Sequence, residues 1–204
     1  MKEYPSIEKV CVKGMPIYAF DKIDGSQIRA EWNRKRKFSK FGSRRQLIGL
    51  EGEGLEEGAR LVLSKYERDL HDIFIKERYE SVICFFEFWG KNSFAGNHQK
   101  EEHDVTLFDI KPYKKGILPP REFLKMTEGL DRARLLYHGN ANEQFVEAVK
   151  NRILEGMTFE GVVCKAMEMK TYGIPIMFKI KSNDWIAKLK NYCSGDELLF
   201  EKLL

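Results

Sequence analysis

The chain has 204 residues and a mass of 23.9 kDa, is 43% hydrophobic and 32% charged, and carries a formal charge of +4 from 35 Lys plus Arg against 31 Asp plus Glu. That balance fits a compact soluble protein with one core, and no apolar run approaches the roughly 20 residues of a membrane span, so membrane enzymes are excluded. The charge excess allows an anionic partner without demanding one.

From the N-terminus, Met1–Pro5 hold neither an apolar signal core nor a cleavage site, so a cytoplasmic location is expected. Cys11, Cys84, Cys164 and Cys193 stand singly, against a zinc ribbon or a disulfide framework. Val10–Val12, Ile17–Phe20 and Ile28–Trp32 alternate with turn residues and predict strands. Arg34–Lys37 lies between two such stretches and fits a solvated hairpin tip better than a dedicated nucleic-acid contact. Leu55, Ala59, Val62, Tyr66, Leu70 and Ile73 recur at spacings of 4, 3, 4, 4 and 3, an amphipathic helix over Leu55–Ile75. Val82–Phe88 and Val105–Ile110 read as buried strands. Pro119-Pro120 opens a helix, because proline suits a first turn whose N–H is unpaired in any case. A helix from about Glu143 to Leu154, strands over Thr158–Lys165 and Ile174–Lys181, and helical stretches around Trp185–Leu189 and Asp196–Leu204 complete the chain. No linker or repeat divides it, so residues 1–204 are expected to form one α+β domain with largely antiparallel sheets.

Five short segments carry candidate chemistry. Phe20-Asp21-Lys22-Ile23-Asp24-Gly25-Ser26 puts a lysine at a strand end before a glycine turn. A lysine amine attacks only after losing its proton, which needs burial or neighbouring cations; the same string also fits an ordinary surface turn. In Phe85-Phe86-Glu87-Phe88-Trp89-Gly90, alternation sets Glu87 opposite Phe86 and Phe88, facing either a cleft or solvent. Leu107-Phe108-Asp109-Ile110 and Phe159-Glu160-Gly161-Val162-Val163-Cys164-Lys165 follow. Phe178-Lys179-Ile180-Lys181-Ser182 puts two ammonium groups on one side of a strand, a repulsion that an intervening anion such as phosphate would relieve.

In this order, with 65 residues from Lys22 to Glu87, 21 to Phe108, 52 to Glu160 and 19 to Lys179, the set resembles the covalent nucleotidyltransferases, the polynucleotide ligases and mRNA-capping enzymes. The resemblance implies antiparallel sheets flanked by helices, with the nucleotide in the cleft between them. It implies that Lys22 attacks the α-phosphate of a nucleoside triphosphate and holds the nucleotide as a phosphoramidate, with Ile23 and Gly25 of the same motif at the nucleotide. By the same resemblance Arg44, or Arg45 if the register slips by one, contacts phosphate or ribose, Glu87 orients the ribose, and Phe108 stacks on the base. Glu160 engages a divalent metal, magnesium or manganese, while Lys179 and Lys181 contact the α-phosphate and Lys165 extends the same basic wall.

Only 23 residues follow Lys181, too few for the OB-fold domain of capping enzymes and most DNA ligases, so none is expected. The Glu160 and Phe178 segments and the F-D-I box look most like the RNA ligase branch. An ATP-dependent RNA ligase that joins a 5′-phosphate to a 3′-OH in RNA repair is the leading expectation, with a partner protein as one possible source of RNA grip. The usual C-terminal helical domain is missing from this stretch, and Gln27 stands where some relatives have asparagine. A minimal DNA ligase, and a nucleotide- or RNA-binding module without turnover, are the alternatives. His71, His98, His103 and His138 lack metal-ligand spacing, and Trp89 and Trp185 read as packing residues.

Overall fold

The computed structural model describes residues 1–9, 12–91, 93 and 100–204. Its strands are β1 (Pro16–Lys22), β2 (Ser26–Asn33), β3 (Lys37–Gly42), β4 (Leu47–Ile48), β5 (Ser81–Trp89), β6 (Asp104–Pro112), β7 (Leu135–Asn140), β8 (Gly161–Thr171) and β9 (Ile174–Lys181). Its helices are α1 (Leu55–Lys76), α2 (Pro120–Met126), α3 (Glu143–Lys150), α4 (Asn183–Cys193) and α5 (Glu197–Leu203). Two sheets result, one ordered β7-β1-β8-β9 and the other β4-β3-β2-β5-β6, with every strand pair antiparallel. The α+β class is as expected. No described helix is long and apolar enough to cross a membrane.

Each sheet buries one face. Helix α1 lays Ala59, Val62, Tyr66, Leu70 and Phe74 on Ile28, Ala30, Trp32, Cys84 and Phe86 of the five-stranded sheet. Helix α3 lays Phe145 and Val149 on Ile17, Ala19, Val162, Cys164, Phe178 and Ile180 of the four-stranded sheet. Because side chains alternate along a strand, Phe20, Lys22, Val163, Lys165, Lys179 and Lys181 are left on the opposite face, where they line the cleft between the sheets.

Several boundaries differ from the sequence reading. Val10 and Cys11 lie outside the described residues, and Val12 belongs to no strand. The strand expected at Thr158 begins at Gly161, because the lead-in is held by side chains: Asp21 Oδ1 accepts from the Thr158 N–H at 2.9 Å and hydroxyl at 3.0 Å, and Ser182 donates to the Phe159 carbonyl at 2.7 Å. The helix expected to reach Leu154 stops at Lys150, where the Asn151 N–H closes the last turn. At its start Asn142 accepts from the Phe145 N–H, and Ser182 and Asp196 likewise cap α4 and α5.

The two sheets also touch through a pair of turns. A Cβ on Gly116 would lie 2.1 Å from the Gly173 Cα, and Gly116 has φ +82°. Only glycine allows that approach, which the Ile117 N–H secures by donating to the Gly173 carbonyl at 2.8 Å.

Candidate active site

The turn Ile23–Gly25 carries the chain from β1 of one sheet to β2 of the other. Gly25 is pressed against β5: a Cβ there would meet the Phe88 carbonyl oxygen at 2.2 Å. The lysine-to-glycine spacing therefore has a steric reason in this fold. Lys22 ends β1, paired with Gly161 of β8, which pairs in turn with Lys181 of β9, so one row of three strands delivers Lys22, Glu160 and Lys181 together.

Glu160 is the centre of the cluster. Its Oε2 lies 2.8 Å from Lys22 Nζ and its Oε1 lies 2.9 Å from Lys181 Nζ, with the carboxylate and Lys181 buried. Burial alone would lower the Lys22 pKa, but the carboxylates of Glu160, Glu87 and Asp24 outweigh it and hold the amine above its ordinary value. Lys179 shows the opposite balance, pushed down to about 8 by burial and by the charges of Lys181 and Lys22. Its ammonium donates to the Leu204 carbonyl at 2.7 Å. Lys181 is also lowered, by burial against the pull of Glu160, and its ammonium sits 3.2 Å from the Trp185 ring centroid.

Across the cleft, Glu87 on β5 is pushed up to about 8, by burial first and then by Glu160 and Asp24, with Lys22 working the other way. The cleft, rather than open solvent, is the surface that it faces. Phe108 on β6 lies half-buried beside it, with Tyr4 edge-on at 5.2 Å and Phe85 at 6.2 Å. Arg44 is exposed in the turn between β3 and β4, with Arg45 next to it, and both line the mouth.

All ten residues singled out in the sequence, Lys22, Ile23, Gly25, Arg44, Glu87, Phe108, Glu160, Lys165, Lys179 and Lys181, line this one cleft of about 990 Å3. Lys165 departs from a phosphate-facing wall. Its ammonium is buried at the Phe108 end, 2.7 Å from Asp109 Oδ2 and 3.1 Å from the Phe108 carbonyl.

Four contributors went unassigned in the sequence. Asp109 receives Lys165 and the Tyr4 hydroxyl, while burial raises its pKa against the pull of Lys165. Tyr4 brings the N-terminal segment to the cleft floor. Buried Arg29 donates to the Ser43 carbonyl at 2.6 Å and the Met1 carbonyl at 3.1 Å, bracing the Arg44 turn and that segment together. Trp185, expected only to pack, also donates to Asp24 Oδ1 at 3.3 Å and so ties α4 to the lysine turn. Asp109 and Asp24 sit inside quoted motifs, whereas Tyr4 and Arg29 had no local signal.

No group of three or more His, Cys, Asp and Glu side chains is placed to hold a metal ion among the described residues. The divalent ion that the nucleotidyltransferase resemblance implies nevertheless fits Glu160, since magnesium commonly takes one or two carboxylates and completes its shell with phosphate oxygens and water. Of the histidines, His71 meets the Trp32 N–H, His103 meets Glu57 and His138 stacks on Tyr18, while His98 lies outside the described residues.

A lysine at a strand end in a cleft between two antiparallel sheets, backed by a carboxylate and two further lysines, is the arrangement that the nucleotidyltransferase resemblance implies, and the fold is of that class. The family model for RNA ligase matches residues 15–182, and the chain belongs to that family. Solved structures of an RNA ligase from Naegleria gruberi have the same fold. One with pyrophosphate is 20% identical at a TM-score of 0.65, over 88% of this chain and 53% of that one. A variant with AMP and manganese is 18% identical at 0.64, over 86% and 52%. Another variant, with ATP and manganese, is 18% identical at 0.64, over 91% and 59%. The chain thus spans little more than half the length of these relatives. No curated protein matches it.

Proposed function

We propose that residues 1–204 form the adenylylation domain of an ATP-dependent RNA ligase. The observation that carries this reading is the meeting of Lys22, Glu160, Lys179 and Lys181 at one point of the cleft, with Glu87 and Phe108 facing them. The ATP, AMP and pyrophosphate in the Naegleria structures support ATP as the donor.

In the first step the Lys22 amine attacks the α-phosphorus of ATP. The N–P bond forms, the bond to the bridging oxygen breaks, pyrophosphate leaves and the amine gives up its proton. Lys179 and Lys181 offset the charge that grows on the α-phosphate, where fixed, partly buried cations count for more than they would in water. Their positive charge also disfavours an ammonium at Lys22, an effect that prepares the amine to attack once Glu160 no longer holds its proton in place. Phe108 offers its ring to the adenine and Glu87 a hydrogen-bond acceptor or donor to the ribose. A divalent ion held by Glu160 and the phosphates would supply charge neutralisation and draw the carboxylate away from Lys22. AMP then passes to an RNA 5′-phosphate, whose oxygen displaces the lysine, and a 3′-OH finally displaces AMP.

The test is incubation with α-labelled ATP and magnesium, followed by peptide mapping. The label should lie on Lys22 and be absent from Lys22→Ala. Label on another residue would overturn the reading, and joining of 5′-phosphorylated DNA nicks without RNA would move it to a DNA ligase.

A further inference from the structure

A second cavity of about 540 Å3 lies on the cleft-side face of the five-stranded sheet, at the end away from Lys22. Residues 1–4 separate the two hollows, with Met1 and Lys2 lining the outer one and Tyr4 the inner. The outer wall combines Lys2, Lys111 and Lys114 with Tyr113 and Tyr172. Among the described residues none of these three lysines pairs with a carboxylate, and the acid of this wall, Glu31, faces Lys40 at 3.7 Å. Lys111 is lowered by burial and by the nearby charge of Lys2, which leaves the pair short of an anion.

The tyrosines are presented in an unusual way. Tyr172 is 88% exposed and Tyr113 56% exposed. The Tyr172 hydroxyl donates to the Lys114 carbonyl at 2.7 Å, so the ring is tethered while its surface stays open. Lys114 Nζ stands 5.2 Å from the Tyr113 ring centroid. The backbone beneath both rings is fixed by the Gly116–Gly173 contact between the two turns. Lysines without a carboxylate partner, interleaved with two exposed aromatic rings of which Tyr172 is tethered, make a surface for phosphates and stacked bases.

We infer that this groove binds single-stranded RNA leading away from the catalytic cleft, its phosphates on Lys2, Lys111 and Lys114 and its bases on Tyr113 and Tyr172. The inference rests on the RNA ligase reading for the identity of the polymer. Position sets a length. Lys111 pairs with Ile83, four residues along β5 from Glu87, and the Tyr113 N–H reaches Ser81, two residues further. At ~3.3 Å per residue these points lie roughly 13 and 20 Å from Glu87. With a rise of ~3.4 Å per stacked nucleotide, a strand starting at the cleft needs about four to six nucleotides to occupy the groove.

The experiment measures binding of a 5′-phosphorylated RNA dodecamer and trinucleotide by fluorescence anisotropy across a salt series, with self-adenylylation followed in parallel. For the dodecamer, Lys111→Ala with Lys114→Ala should flatten the fall of log K with log salt by about 0.7 for each lost phosphate contact. Tyr172→Ala should weaken it about five-fold or more, and Tyr172→Phe should lose much less, because the ring stacks while the hydroxyl only tethers it. Trinucleotide binding and adenylylation should not change in any of these variants. Dodecamer binding that is unaltered in the lysine pair variant or in Tyr172→Ala overturns the inference. So does a wild-type protein that adenylylates itself but binds no dodecamer. Salt-sensitive dodecamer binding lost in these variants, with no adenylylation in wild type, would uphold the groove and sink the ligase reading instead.

Discussion

Replacing Glu87 by Gln should stabilise the free protein at pH 8 and leave it unchanged in acid. The Glu87 carboxyl is pushed from its ordinary 4.5 up to about 8, chiefly by burial, with Glu160 and Asp24 adding to the effect and Lys22 opposing it. A folded-state value above the unfolded one means that the native protein holds the proton more tightly. The contribution is therefore fully present below about pH 4.5 and is lost as pH rises through about 8. At about 1.36 kcal/mol per pH unit, the window between those values amounts to about 5 kcal/mol as a ceiling, which partial solvent contact reduces. Glutamine keeps the size and hydrogen-bonding capacity of the protonated acid but cannot ionise. Urea unfolding of Glu87→Gln and wild type across this range should show coincident midpoints in acid and a gap of at least about 1–2 kcal/mol near pH 8 in favour of the variant. A gap of equal size at both ends would refute the reasoning, because it would come from packing and not from ionisation.

Three further outcomes follow from the same cleft. Phe108→Ala should weaken ATP binding by about ten-fold in calorimetry, since base stacking on an aromatic ring is worth roughly 1–3 kcal/mol, and Phe108→Tyr should lose much less. Lys165→Met should destabilise the fold by about 3–5 kcal/mol in urea titrations by leaving Asp109 buried without its cation, and Asp109→Asn in the same chain should recover most of that loss. Above about pH 8, where free Lys179 has lost its proton, ATP binding should take up a proton and weaken with rising pH, because phosphate favours the charged amine. Calorimetry in buffers of different ionisation heat reads that proton directly, and its absence in wild type would exclude Lys179 from the phosphate site.

Much of the cleft was legible because its side chains follow strand alternation. Lys179 and Lys181 are two apart and share a face. Lys22 ends a strand whose other face, Ile17 and Ala19, is plainly core. The 22-residue helix α1 announced itself by period. What stayed hidden depends on partners far apart in sequence. The Tyr4 hydroxyl reaches Asp109 across 105 residues, and Lys165 turns from phosphate to Asp109 across 56. Strand β4 has two residues and β7 has no fully buried position, so neither carries a hydrophobic signature of its own. Arg29 looked like any strand-borne arginine, and only the fold brings the Ser43 carbonyl of the β3–β4 turn and the Met1 carbonyl of the N-terminal segment to it.

The carboxylate shared by Lys22 and Lys181 has a consequence for chemical labelling of the resting protein. An amine clamped at 2.8 Å by Glu160 is a protonated and therefore poor target for aldehydes and activated esters. Lys179, with its proton held only to about pH 8, is the cleft amine that such electrophiles will find first. Amine-directed probes applied to the free protein will thus mark the neighbour of Lys22, and a Lys22 adduct will report that Glu160 has been drawn elsewhere.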